Sequence, residues 1–254
     1  MGIVPDRERR RELRGLAEQL HGRGRPHDQL ASGLKAIAAR RPDRDAQRWS
    51  ERIETERARL SASEEPLSGG RGKDVSTVGQ VTRASVSPER AWTLWALTRD
   101  AGARRVLEMG TCVGVSGSYL AAASGTTDAG GTVRTLEGHE DRAAVARDTF
   151  DRLGFADVEV VVGSFARTLA GTLDDDPFDL VFVDGHHDHD ATLRYVDLVR
   201  AASRPGAVLV LDDIAWSEGM AAAWQEVQQR LAGSAHADLG RVGVVVLGEA
   251  DAGR

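Results

Sequence analysis

The apolar positions of this chain change their period near residue 104. Before that point they recur every three or four residues. Leu13, Leu16 and Leu20 do so within 6–21, Leu30, Leu34, Ile37 and Ala38 within 28–40, and Trp49, Ile53 and Leu60 within 44–60. This spacing predicts three amphipathic helices, each with one buried stripe. Gly22-Arg23-Gly24-Arg25-Pro26 separates the first two and Pro42 the second and third, residue types that punctuate helices. The arginines fall mostly on the opposite faces and read as a solvated helix surface. Residues 61–74 carry Gly, Ser and Pro with little that can pack, so they mark the expected boundary between a helical lid or dimerisation region, 1–75, and a larger domain, 76–254. Ser87-Pro88-Glu89 then opens another helix, with proline in its first turn.

After residue 104 short apolar runs alternate with helical stretches. The runs are Arg105–Met109, Thr132–Glu137, Val158–Val162, Phe178–Val183 and Val208–Leu211, and helices are expected near 116–124, 139–153, 166–173, 189–203 and 218–231. Fully apolar strands alternating with helices indicate a parallel sheet covered on both faces. Ala235–Leu239 and Val242–Leu247, folded around Gly240, read as an antiparallel pair at one sheet edge. The expected fold class is therefore α/β, a Rossmann-like doubly wound seven-stranded sheet, mostly parallel with an antiparallel C-terminal edge strand, plus N-terminal helices. Trp49, Trp92 and Trp95 are assigned to the core rather than to a pocket.

In such a sheet, ligands sit beyond the carboxyl ends of the strands. The first strand runs into Glu108-Met109-Gly110-Thr111-Cys112-Val113-Gly114-Val115-Ser116. Gly110 and Gly114 allow a tight turn and close approach of backbone to a ligand. Ser116 falls at a helix N-terminus, where unpaired N–H groups attract a carboxylate. The three-glycine dinucleotide fingerprint is absent, which argues against a nicotinamide cofactor. The second strand ends in Glu137-Gly138, where an acidic side chain can accept both hydroxyls of a ribose. The third ends in Gly163-Ser164-Phe165, a small residue and an aromatic suited to an adenine ring. Cys112, inside the turn, is expected to pack as a small hydrophobe rather than to act as a nucleophile.

The fourth strand ends in Asp184-Gly185-His186-His187-Asp188-His189-Asp190 and the fifth in Asp212-Asp213-Ile214. Three carboxylates converging there suit a hard divalent cation that keeps several waters, magnesium first. A histidine beside them would serve as a general base near neutral pH. His186, His187 and His189 together offer a second arrangement, an imidazole site for a transition metal. Trp216 reads equally as a wall of an acceptor pocket or as a packing residue.

The pattern Glu108-x-Gly110-x-x-x-Gly114-x-Ser116, followed by Glu137 and Gly163, resembles the class I S-adenosylmethionine-dependent methyltransferases, and within them the catechol O-methyltransferase-like branch. The resemblance covers roughly residues 85 to 248. It implies that Glu108 contacts the methionine amino group or its water, that Ser116 binds the methionine carboxylate, that Glu137 binds the ribose, and that Ser164 and Phe165 flank the adenine. Gly110, Thr111, Gly114, Gly138, Gly163 and Asp184 complete the implied cofactor set. It also implies that Asp184, Asp212 and Asp213 hold a metal, and that the base is His187, with His186 second. The family commonly has lysine at the His187 position, and Asp188-His189-Asp190 departs from its usual context after the metal aspartate. The expected chemistry is methyl transfer to a hydroxyl of a small molecule, assisted by Mg2+. A metal-independent N- or O-methyltransferase and a non-catalytic cofactor-binding protein are the alternatives.

Composition removes several classes. Of 254 residues 41% are hydrophobic and 28% charged, ordinary values for a folded core. A formal net charge of −6 gives no electrostatic footprint for nucleic acid or an anionic membrane. Cys112 is the sole cysteine, so no intrachain disulfide forms. The charged N-terminus lacks an apolar signal core, and no apolar run is long enough to span a bilayer. The expected setting is cytoplasmic, with a small hydroxylated substrate and a homodimer as partners.

Overall fold

A computed structural model describes residues 7–39, 43–67, 76–125, 130–173 and 176–253. Three helices come first: α1 (Arg7–Leu20), α2 (Arg25–Ala38) and α3 (Arg44–Ser61). Each buries most of the stripe predicted for it, with Leu13 and Leu20, Leu30, Leu34 and Ile37, and Ile53 and Leu60 in the core, and Leu16 and Trp49 half-buried against it. Asp43 caps α3 by accepting the Ala46 N–H at 2.7 Å, which satisfies one of the donors left open at a helix start. Across the expected boundary loop β1 (Pro66–Leu67) pairs antiparallel with β2 (Ser76–Thr77), and residues 68–75 lie outside the described set. Next come α4 (Val78–Thr82), closed by a reciprocal Thr77–Gln80 cap, and α5 (Pro88–Asp100), capped by Ser87.

The main sheet follows: β3 (Arg105–Met109), α6 (Val115–Gly125), β4 (Thr132–Glu137), α7 (Glu140–Leu153), β5 (Val158–Val162), α8 (Phe165–Thr172), β6 (Phe178–Val183), α9 (His189–Ala201), β7 (Ser203–Leu211), α10 (Glu218–Arg230), β8 (Ala235–Asp238) and β9 (Gly243–Val246). Its seven strands are ordered β5-β4-β3-β6-β7-β9-β8. The first five are parallel, and the reversed strand is β9, which pairs antiparallel with both β7 and β8. The doubly wound, mostly parallel sheet anticipated from the apolar pattern is thus present, with its antiparallel pair at the C-terminal edge. β7 begins at Ser203, five residues earlier than the apolar run alone indicates, with a register irregularity on β6 between Phe178 and Leu180.

Alternate side chains of the strands enter two cores. Val106, Leu180, Phe182, Val208, Val210 and Val244 join α1–α6 on one face. Leu107, Met109, Val181, Leu209 and Val245 join α8, α9 and α10 on the other. The N-terminal helices share the first of these cores: α2 packs on α5 and on β7, β8 and β9, and α3 packs on α4, α6 and α7. Trp92 and Trp95 are buried, and Trp49 stacks on Phe155 beneath Arg52. Among the described residues no helix is long and apolar enough to cross a membrane.

The chain winds outward from β3 to β4 and β5, then returns to place β6 on the other side of β3. That reversal opens a crevice at the carboxyl ends of β3 and β6, where such sheets receive ligands.

Candidate active site

The crevice is built first from backbone. Asp184 N–H donates to Met109 O at 2.8 Å, and Asp212 N–H to Val183 O at 2.9 Å, so the residues that follow β3, β6 and β7 are stitched side by side. Gly110 lies in the turn after β3 with φ 116°, and a Cβ there would stand 2.0 Å from the Asp184 carbonyl oxygen. Only glycine meets both conditions. Among the described residues four non-glycines have positive φ: Cys112, His186, His187 and Asp213. All four follow the carboxyl ends of β3, β6 or β7, and backbone strain of this kind persists where surrounding structure holds it.

One side of the crevice is a cleft of about 350 Å³ lined by Gly110, Cys112, Ser116, Glu137, Gly138, Ser164, Phe165, Asp184 and His186, together with Ser85, His139 and Arg142. Its size falls in the range of small-molecule pockets. Glu137 is fixed by the main chain, accepting Cys112 N–H at 2.8 Å on Oε2 and His139 N–H at 3.0 Å on Oε1. Beneath the cleft Glu108 is fully buried. Its Oε2 accepts the Thr135 hydroxyl at 2.6 Å, and Thr111 and Thr135 hydroxyls pair at 2.5 Å. Glu108 Oε1 has no hydrogen-bond partner among the described residues, which leaves a buried acceptor in need of a donor. Burial pushes this carboxyl up to about 7, against the pull of the Ser116 and Thr135 hydroxyls and with a push from Glu137. Gly117 is required above it, because a Cβ there would meet Glu108 Oε2 at 2.7 Å and Phe150 Cζ at 2.9 Å.

The far wall of the cleft is aromatic. Phe165 meets His186 and Tyr195 edge-on, with ring centroids 6.0 and 5.7 Å apart. His186 Nδ1 and the Tyr195 hydroxyl lie 2.5 Å apart. Cys112 is held as a protonated thiol, burial pushing it up to about 11, in keeping with packing rather than nucleophilic chemistry.

The other side of the crevice is a charge cluster. His187 Nε2 lies 3.9 Å from Asp184 Oδ1 and 3.9 Å from Asp213 Oδ2. One ligand atom from each of these three residues falls within 4.8 Å of the others, a donor set able to hold a metal ion. Burial, reinforced by Asp212 and Asp213, holds the Asp184 carboxyl well above the ordinary carboxylate range. Asp212 turns instead to Arg90, whose Nη1 stands 2.5 Å from Asp212 Oδ2 and 3.6 Å from Asp213 Oδ1. Asp212 Oδ1 also accepts the Asp213 N–H at 2.9 Å. Arg241 Nε donates to Asp213 Oδ1 at 3.1 Å. Trp216, 64% exposed, lies beside His187 with ring centroids 6.1 Å apart.

The structure thus brings Gly110, Ser116, Glu137, Gly138, Ser164, Phe165, Asp184 and His186 to one cleft. Glu108 and Thr111 lie under it, while Gly114 packs on Phe150 and Gly163 against Thr168. Of the three carboxylates expected to share a metal, Asp184 and Asp213 are grouped with His187, and Asp212 is paired with Arg90. The three-imidazole arrangement is not formed: His186 pairs with Tyr195, and His189 pairs with Asp190 and lies 3.4 Å from Glu226. Sequence reasoning missed Arg90, Arg142, Tyr195 and Arg241. Arg142 had a local signal, since it falls in the first turn of the helix that follows Glu137.

Residues 107–214 match the family described as methyltransferase domain. The chain is 40% identical over 148 residues to a catechol O-methyltransferase of Mycobacterium tuberculosis, covering 58% of this chain and 64% of that protein. It is 32% identical over 133 residues to a catechol O-methyltransferase of Niastella koreensis, covering 51% and 58% respectively. The matched stretch is therefore less than two thirds of either relative's own length. Among solved structures, cofactor-bound Rv0187 from MTB is 30% identical with a TM-score of 0.60, covering 78% of this chain and 90% of that one. The Bacillus cereus O-methyltransferase in complex with SAH shares the fold, at 24% identity and a TM-score of 0.55 over 78% of this chain and 90% of that one.

Proposed function

Because this chain belongs to the methyltransferase-domain family, we propose that it transfers a methyl group from S-adenosylmethionine to a hydroxyl of a small molecule. One observation carries the reading. Asp184 lines the cleft and also belongs to the acidic cluster with His187 and Asp213. A methyl donor in the cleft and a hydroxyl at the cluster would then meet across a single carboxylate.

The donor side fits the residues present. Glu108 Oε1 is a buried acceptor that an ammonium would satisfy. The open N–H groups at the start of α6, beside Ser116, suit a carboxylate. Glu137 retains lone pairs beyond its two main-chain bonds for ribose hydroxyls. Phe165 and Ser164 border the space suited to an adenine.

Transfer from a sulfonium is an in-line displacement, so the acceptor oxygen must be oriented and lose its proton. Asp184 and Asp213, with Asp212 alongside, would hold a divalent cation, magnesium first. Bound there, it would lower the hydroxyl's pKa and fix its angle. His187, whose Nε2 lies 3.9 Å from Asp184 and from Asp213, would take the proton. His186, held against Tyr195 in the cleft wall, has a supporting part. Trp216, exposed beside His187, offers a ring face to the acceptor.

A second reading has its own observation. Arg90 already brings a positive charge to Asp212 and Asp213, an arrangement that supports metal-independent transfer. Chelator titration of methyl transfer to catechol separates the two. The metal reading expects activity to vanish with chelator and return with Mg2+, and Asp184→Asn to lower kcat about a thousandfold. Full turnover in chelator selects the second reading. Failure of calorimetry to detect S-adenosylhomocysteine binding would remove both.

A further inference from the structure

The N-terminal helices carry a polar seam that the methyl-transfer reading leaves without a role. Ser50, Glu54 and Arg57 stand four and three residues apart on α3, so they share one face of that helix. Glu54 Oε1 accepts the Tyr119 hydroxyl at 2.7 Å, and Ser50 Oγ lies 3.4 Å from the same hydroxyl. Tyr119 is buried in α6, about one turn beyond Ser116, and burial holds its phenol protonated as a donor. Arg57 pairs with Glu54 at 3.0 Å and donates through Nη1 to the Val86 carbonyl at 2.6 Å. Val86 belongs to the 83–87 loop between α4 and α5, and with Ala84 and Ser85 it borders the donor cleft. The other end of this segment is fastened to the end of α3 as well. Gly79 N–H donates to the Ser63 carbonyl at 3.0 Å, and a Cβ on Gly79 would meet the Ser61 carbonyl oxygen at 2.6 Å. The Ser85 hydroxyl is buried with no hydrogen-bond partner among the described residues, a group that an occupant of the cleft would satisfy.

We propose that Arg57 is a positioning residue for the methyl donor. Through the Val86 carbonyl it holds the 83–87 loop in the shape that receives S-adenosylmethionine, which makes α3 part of the donor site rather than a separable lid. The inference rests on the reading that this cleft takes S-adenosylmethionine. The seam reaches two borders of the cleft from one helix face: α6 through Tyr119 and the loop through Val86. Glu54 ties the two together, since it accepts from Tyr119 and pairs with Arg57. A hydrogen bond from a charged donor corresponds to about tenfold or more in an equilibrium. A loop held in its binding shape only about a tenth of the time takes its ligand about tenfold more weakly.

Calorimetry with S-adenosylhomocysteine on the full chain tests this. Arg57→Met should weaken binding about tenfold, while Arg57→Lys, which keeps a charged donor, should stay within about threefold of the unaltered protein. Arg52→Met is the control. Arg52 lies on the same helix and donates to the Leu153 carbonyl at 2.8 Å, away from the cleft lining, so its loss should leave affinity within about twofold. Hydrogen exchange of the 83–87 amides should quicken in Arg57→Met and not in Arg52→Met. Tyr119→Phe removes only the hydroxyl that steadies Glu54 and should weaken binding about threefold. It carries the test if Arg57→Met does not fold, and unchanged affinity there overturns the assignment. So does unchanged affinity in folded Arg57→Met, a lysine no better than methionine, or equal weakening by Arg52→Met. Failure of the unaltered protein to bind S-adenosylhomocysteine would instead strike the reading on which the inference rests.

Discussion

The two halves of the crevice are held by different forces. At the carboxyl ends of β3 and β4 the side chains are fixed by neutral hydrogen-bond donors, Glu137 by two backbone N–H groups and Glu108 by a buried hydroxyl pair, while the Gly110 turn lies against the Asp184 carbonyl. At the ends of β6 and β7 they are fixed by charge: Asp212 by Arg90, and Asp213 by Arg241 and Arg90. A backbone-anchored cleft is set once its strands pair. A charge cluster is set only when side chains from remote elements arrive, and it stays responsive to whatever cation shares it.

The sharpest way to break that contrast is Arg90→Met. The Asp212 side chain is only 2% exposed, and removing its partner leaves a buried charge uncompensated. Unfolding in urea should show a loss of about 3 kcal/mol. Added Mg2+ should restore part of it if the acidic tips take a cation, since a ligand bound only by the native state stabilises it. Unchanged stability would show that charge does not organise this half.

A smaller effect is expected from Glu137→Gln on the other half. A charge-assisted acceptor is lost, so S-adenosylhomocysteine affinity should fall by about 2 kcal/mol in calorimetry. With saturating donor, kcat should stay within about threefold, because the proposed reading puts Glu137 at the ribose rather than at the displaced bond.

A further prediction for that half concerns pH. Burial raises Glu108 from 4.5 to about 7, so the folded chain binds that proton more tightly than the unfolded chain. The contribution is fully present below about pH 4.5 and is lost as pH rises through about 7. Glu108→Gln cannot ionise and should flatten the pH dependence of stability across that window. A slope identical to that of the unaltered protein would mean that Glu108 ionises in the fold without cost.

The backbone-anchored half was legible because its signals are local. A glycine turn after an apolar strand, an acid at the next strand end and a small-aromatic pair after the third each occupy consecutive residues, and their positions follow from strand periodicity. The three N-terminal helices were legible for the same reason. The charged half was legible only in part. Asp184, Asp212, Asp213 and His187 are marked by their place after strands, yet Asp212 is held by an arginine 122 residues away. The expected three-carboxylate grouping therefore resolves into Asp184, His187 and Asp213, with Asp212 beside them.

By itself the sequence determined the strand–helix alternation, the covered parallel sheet and the turn that must be glycine, because periodicity and backbone sterics act between near neighbours. Only the tertiary structure decided which cations meet which aspartates, that β9 lies between β7 and β8, and that an arginine of α3 reaches the loop beside the donor cleft. Those outcomes depend on packing between elements far apart in the chain, where no spacing of residues carries the information.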